Sequence, residues 1–226
     1  MCCCRGLRLG AACVAPEPHV QHVLHVWRHP KAIGAAGRCI GRTDLPVDPR
    51  KAKRLAHRIR CQARRQGLPH EVCSSPLRRA ADVGRWLARW GWRHRIDASL
   101  AEIDFGAWDG LSWDEIGEAA VAEWCADFAR YTGHGGESVS MLFERCTGWS
   151  DDASRASACC VVGHAGWITA LRMLQEGCGA PDSASDWPLP LPLGSRLEIR
   201  LEPRAAATSV DQRQRMRSVA LDVRAC

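Results

Sequence analysis

His22-Val23-Leu24-His25-Val26-Trp27-Arg28-His29-Pro30 mixes valine, leucine and tryptophan and then stops at an arginine, a histidine and a proline. This is the pattern of a β-strand running into a loop, because proline pushes the residue before it toward extended backbone and cannot continue a ladder. A second segment, residues 159–162 (Cys-Cys-Val-Val), reads as a fully buried strand that ends at Gly163-His164 and feeds a helix over residues 165–175. Two strands that each end in a histidine can bring both imidazoles into one crevice if they lie side by side and parallel.

Between them the chain keeps alternating strand and helix. Asp48 is a helix cap and Pro49 a first-turn residue, with the helix running to Gln66 before Gly67. Residues 71–74 form a short buried strand, and Ser75-Pro76 opens a helix through about Trp90, with Leu77, Ala80, Ala81, Trp86 and Leu87 on one apolar face. Ser112 and Glu115 have the spacing of a capping box, another helix starts from Ser138, and residues 197–201 form a last strand. The expected fold is therefore α/β, a three-layer sandwich with a mostly parallel sheet covered by helices and its site outside the strand ends.

The 226 residues, 46% of them hydrophobic, suffice for one domain with a sizeable core, expected over residues 22–201. Residues 1–21 and 202–226 lack strong periodicity and are expected to be a disordered extension and tail. The net charge of +6 suits an anionic small molecule but falls short of a dedicated nucleic-acid binder. The Arg-rich face of the helix after Asp48 is read as solvated. Thirteen cysteines, an odd number with no C-x-x-C spacing, fit a reducing cytoplasm better than a disulfide framework or a zinc ribbon, and most are read as small core hydrophobes. No apolar run is long enough to span a bilayer, so no membrane partner is expected. His22, His25 and His29 are not a zinc triad, since the first two face opposite sides of a strand, and no metal or other cofactor is expected.

Five ordered segments carry a resemblance: Arg28-His29; Ser75-Pro76-Leu77-Arg78-Arg79-Ala80; Glu102-Ile103-Asp104-Phe105-Gly106-Ala107-Trp108-Asp109-Gly110; Gly135-Gly136-Glu137-Ser138; and Val162-Gly163-His164-Ala165-Gly166. In this order they resemble the histidine phosphatase (phosphoglycerate mutase-like) superfamily, and within it the alpha-ribazole phosphatase branch. The resemblance implies a metal-independent phosphomonoester hydrolase with a phosphohistidine intermediate, with alpha-ribazole 5'-phosphate in cobalamin biosynthesis as the named substrate. It implies His29 as nucleophile, Arg28 and Arg79 as phosphate-binding arginines, His164 as a donor to the phosphoryl group and Glu102 as proton donor. Arg78 is the alternative to Arg79, and Asp104 and Asp109 are the alternatives to Glu102, with Asp109 also suited to bracing a loop. Gly41, in the glycine-rich turn after the first strand, is the candidate for close backbone approach to substrate.

The chain departs from the family pattern at Pro30, where glycine is usual and a backbone N–H is lost, and in lacking an asparagine between Lys31 and Gly37. Lys31 or Arg38 could supply charge there instead. Two other functions fit the same residues: a phosphoglycerate mutase-like transferase that returns the phosphoryl group, and an inactive phosphate-ester-binding protein. The residues do not specify an oligomeric state.

Overall fold

The computed structural model describes residues 22–153 and 160–201. The expected extension and tail, and Cys159, lie outside the described residues. Strand β1 (His22–Arg28) lies next to β4 (Cys160–Gly163) in parallel, with Arg28 paired to Gly163. Beyond β4 come β2 (Glu71–Ser74) and β3 (Arg93–Ile96), both parallel, and β5 (Arg196–Leu201) pairs antiparallel on the far side of β1. The order β3-β2-β4-β1-β5 makes a mostly parallel five-stranded sheet.

Side chains alternate across the strands and so build two cores. Trp27, Val72, Cys160 and Val162 face α1 (Pro49–Gln66) and α2 (Arg78–Ala88), meeting Leu55, Ile59, Val83 and Leu87. Leu24, Val26, Cys73 and Val161 face the other way, toward α5 (Val139–Ala153) and α6 (Ala165–Gln175), where Leu142, Trp167, Ile168 and Leu171 are buried. Helices on both faces give the three layers read from the sequence. Cys73, Cys146 and Cys160 are buried among these apolar groups and Cys39 is buried outside them, while Cys125 and Cys178 are exposed.

Helix α1 has the expected ends: Asp48 accepts from the Arg50 N–H, and Gly67, at φ 64°, returns its N–H to the Ala63 carbonyl. Its charged face is not wholly solvated. Lys53 lies 5.1 Å from the centre of the Trp86 ring and Arg60 lies 4.7 Å from that of Trp90. Helix α2 starts later than Ser75-Pro76 suggests, because the Ser75 hydroxyl accepts the Leu77 N–H and holds a turn before the helix begins. The Ser112–Glu115 capping box forms, but its helix, α3 (Trp113–Ile116), stops at Gly117, and α4 (Glu118–Ala126) follows. The edge strand β3 goes unseen in the sequence because Arg-His-Arg-Ile is polar and mostly exposed. Among the described residues, no helix is long and apolar enough to cross a membrane.

Candidate active site

Three strand ends converge. Arg28 closes β1 and His29 follows it, the His29 N–H donating to the Gly163 carbonyl at 3.1 Å and so prolonging the β1–β4 pairing by one bond. His164 leaves β4 as the residue preceding α6. Arg79, in the first turn of α2, reaches in from the end of β2. The His29 and His164 rings lie 4.9 Å apart, centre to centre. His29 is 7% exposed, Arg79 1% and His164 0%.

The hydrogen bonds fix both tautomers. The Nδ1 of His29 is 2.6 Å from the Pro30 carbonyl oxygen, which can only accept, so Nδ1 carries the proton and Nε2 the lone pair. The Nδ1 of His164 accepts from Arg79 Nε at 3.2 Å, so its proton sits on Nε2. That Nε2 is buried and has no partner among the described residues, and the same is true of Arg28 Nε. Buried donors without acceptors are costly, and two of them on the residue before His29 and on the ring 4.9 Å from it suit an anion.

Burial, with the positive charges of Arg79 and Arg28 adding to it, holds His29 down to about 3 against the opposing pull of the Pro30 hydrogen bond. His164 lies well below its ordinary value for the same first reason, complete burial, and then because of His29 and the arginines. Both rings are neutral at pH 7. Between about pH 3 and the unfolded value of about 6.5 the unfolded chain holds a proton on His29 that the folded chain does not, and His164 acts in the same direction. Stability therefore falls as pH is lowered through that window, by up to about 1.4 kcal/mol per pH unit for His29, with His164 adding to the fall. Urea unfolding at pH 7, 6 and 5 should show this decline, with a shallower slope in His29→Ala.

The arginines are oriented by carbonyls. Arg79 donates to the Thr43 carbonyl at 2.7 Å and to the Gly41 carbonyl at 2.5 Å, and Arg28 donates to the Leu191 carbonyl at 2.7 Å. Arg78 is exposed, and its N–H is capped by Asp44. Of the two neighbours, the structure brings Arg79 to the histidines. Glu102, 7% exposed, receives the N–H groups of Ile103, Gly166 and Trp167 at 3.1, 3.1 and 3.2 Å, which sets its carboxylate at the N-terminus of α6.

His29, Arg28, Arg79 and Glu102 line a cleft of about 380 Å³ together with Lys31, Arg38 and Phe105. Asp104 and Asp109 do not line it. Asp104 accepts the Gly106 N–H and braces its own turn, while Asp109 accepts the N–H groups of Gly41, Arg42 and Thr43 and the Thr43 hydroxyl. The structure ties Gly41 into the protein's own hydrogen bonds. Its N–H is taken by Asp109 and its carbonyl accepts from Arg79. Glycine is required there for packing, since a Cβ would fall 2.2 Å from the Ile103 carbonyl oxygen.

Two supporting residues were not found from the sequence. Arg145 on α5 donates to the Ser99 and Ala101 carbonyls at 2.8 and 2.9 Å and pairs with Glu137 at 2.7 Å, pinning the loop that carries Glu102. Pro30, read as a liability, supplies the carbonyl that orients His29. His25 stands apart, its ring 3.5 Å from Glu198 on β5.

The family model for the histidine phosphatase superfamily (branch 1) matches residues 24–209. This chain belongs to that superfamily. Among solved structures, a mycobacterial glucosyl-3-phosphoglycerate phosphatase complexed with VO3 superposes with a TM-score of 0.65 at 25% identity, over 78% of this chain and 92% of that one. The alpha-ribazole phosphatase from Shigella flexneri gives 0.64 at 22%, over 78% and 89%. A protein described as mycobacterial hydrolase 2 gives 0.66 at 24%, over 80% and 82%. A search of curated proteins gives no match. At these identities the structural likenesses show the histidine phosphatase fold, and the side chains of this chain must carry the chemistry.

Proposed function

We propose that this histidine phosphatase superfamily member hydrolyses phosphomonoesters through a phosphohistidine at His29, without a metal. The observation that carries the reading is the unprotonated Nε2 of His29, on a ring 4.9 Å from that of His164 and in the same cleft as Arg28, with an orphaned buried donor on each of those two residues. The lone pair attacks phosphorus in line with the ester oxygen, the P–N bond forms as the P–O bond breaks, and Glu102 gives the departing alkoxide its proton. Arg28, Arg79 and His164 Nε2 hold the equatorial oxygens as charge redistributes. In the second half Glu102, now a carboxylate, takes a proton from water as the water oxygen attacks phosphorus. The P–N bond breaks, and inorganic phosphate leaves with His29 restored. The Nδ1–H bond to Pro30 persists throughout and shares the positive charge of the phosphorylated ring.

The substrate we propose is alpha-ribazole 5'-phosphate, the ester named for the Shigella neighbour and for a putative Escherichia coli enzyme. The ester of the mycobacterial neighbour, glucosyl-3-phosphoglycerate, is the comparison substrate. Phosphate release from both, measured with chelator present, tests the reading. Release is expected with alpha-ribazole phosphate preferred, together with a protein adduct of one phosphoryl mass that is labile in acid and stable in base. Full activity without that adduct would exclude the covalent route, and chelator-sensitive release would exclude the metal-independent one.

A further inference from the structure

One ion pair holds the backbone on both sides of Glu102. Arg145, on α5, commits every guanidinium N–H it has: Nε and Nη2 donate to the Glu137 carboxylate at 2.8 and 2.7 Å, Nη1 to the Ser99 and Ala101 carbonyls at 2.8 and 2.9 Å, and Nη2 again to the Glu102 carbonyl at 3.4 Å. Glu137 in turn accepts the Asp104 N–H at 3.3 Å and donates its own N–H to the Asp104 carbonyl at 2.7 Å. Both side chains are mostly buried, at 17% and 11% exposed.

Residues 101–105 belong to neither helix nor strand, so no ladder fixes where Glu102 stands. A proton donor must nevertheless come within about 3 Å of the oxygen that leaves. The arginine fork is planar and stiff, and with all its donors engaged it admits one placement of the carbonyls around it. The phosphate side of the site is held by other means. His29 and Arg28 take their places from the end of β1 and from the Pro30 and Leu191 carbonyls, and Arg79 from those of Gly41 and Thr43. The pair's link to that side is a contact of 3.9 Å between Glu137 and the partly exposed Arg42, a distance and exposure at which an ion pair contributes little. Neither Arg145 nor Glu137 lines the cleft.

We infer that Arg145, braced by Glu137, is a positioning residue for the proton-transfer steps alone: it sets the Glu102 carboxyl against the leaving oxygen and takes no part in phosphate binding or in attack by His29. This rests on the phosphatase reading above and gives a residue outside the cleft control of one part of it. Arg145→Lys keeps a positive charge beside Glu137 but replaces the fork with a single ammonium, which cannot hold the carboxylate and the three carbonyls together. For ethyl phosphate its kcat is expected to fall by about 10²-fold, the cost of a displacement of roughly 1 Å, with KM little changed. For 4-nitrophenyl phosphate, whose leaving group needs no proton, formation of the phosphohistidine should stay near the native rate. In a Glu102→Gln background the lysine substitution should add almost nothing, because its effect runs through that carboxyl. Arg145 also borders a cavity of about 680 Å³ with Arg95, Asp97, Ser99 and Trp149. Arg145→Ala therefore leaves a hole that solutes can reach, and guanidinium ion, added far below denaturing concentrations, should restore part of the turnover of ethyl phosphate.

Equal losses on the two esters, or a loss that multiplies with that of Glu102→Gln, would make Arg145 a support of the whole fold and overturn the inference while the phosphatase reading stands. Should native protein hydrolyse neither ester, amide hydrogen exchange reads the placement of Glu102 without turnover, at the Gly166 and Trp167 N–H groups that its carboxylate accepts. Faster exchange at these two in Arg145→Lys, with the rest of α6 unchanged, would uphold the positioning while the phosphatase reading fails, and unchanged exchange would overturn both.

Discussion

In His29→Ala, phosphate release from any alkyl ester is expected to fall by roughly five orders of magnitude. The acid-labile phosphoryl adduct should vanish with it. The size follows from what is lost, because among the described residues no other group in the cleft offers a neutral nitrogen with a free lone pair. His164 is committed through Nδ1 to Arg79 and presents a proton, not a lone pair, on Nε2. The substitution leaves a small polar cavity beside Pro30, so added imidazole should restore part of the turnover by acting as a diffusible nucleophile. Rapid-quench measurement of phosphate release, with and without imidazole, checks both points. Native-level turnover in the variant would move the attack to water and dispose of the covalent route. A second signature separates nucleophile from scaffold. If His29 served only to hold the loop, the loss would appear mainly in KM and in stability, whereas loss of the attacking atom appears in kcat.

Much of this arrangement is written in local sequence, and the rest depends on which segments meet. Strand ends at Arg28-His29 and Gly163-His164 are legible because apolar runs stop abruptly at residues that cannot extend them. The cap at Asp48, the turn at Gly67 and the capping box at Ser112 are legible because each is a contact within a few residues. Polar edge strands are not, since Arg93 to Ile96 owes its extended form to pairing with β2 and not to its own pattern. The same limit applies within the site. Choosing Arg79 over Arg78 needs only the helix start, and the family motif supplies it. Assigning Asp109 to the 41–43 loop or Arg145 to the carbonyls of Ser99 and Ala101 requires partners that are 44 or more residues away in sequence. Gly41 shows the same dependence. A glycine in a turn near a strand end suggests backbone approach to a ligand, yet its smallness serves the packing of the 103–109 segment against it.

Glu102→Gln separates two jobs that the geometry gives to one carboxyl. Glu102 receives three backbone N–H groups, two of them from the first turn of α6, so it helps hold that helix as well as facing the cleft. Glutamine keeps a carbonyl oxygen for the Ile103 and Trp167 N–H groups, gives up only the bond from Gly166 and has nearly the same volume, so folding and phosphate affinity should change little. It cannot deliver a proton to a departing alkoxide. For an alkyl ester, kcat is therefore expected to fall by about 10²–10⁴. For 4-nitrophenyl phosphate, whose leaving group departs as a stable anion, formation of the phosphohistidine should be nearly unchanged, while its breakdown slows because water loses its base. The expected record is a burst of nitrophenolate equal to the enzyme concentration, followed by a slow steady state, with phosphohistidine accumulating on the protein. Equal losses for both esters, with no burst, would assign Glu102 to helix support alone and reopen the question of the acid. The same stopped-flow trace decides between the two outcomes because it reads formation and breakdown of the intermediate as separate phases.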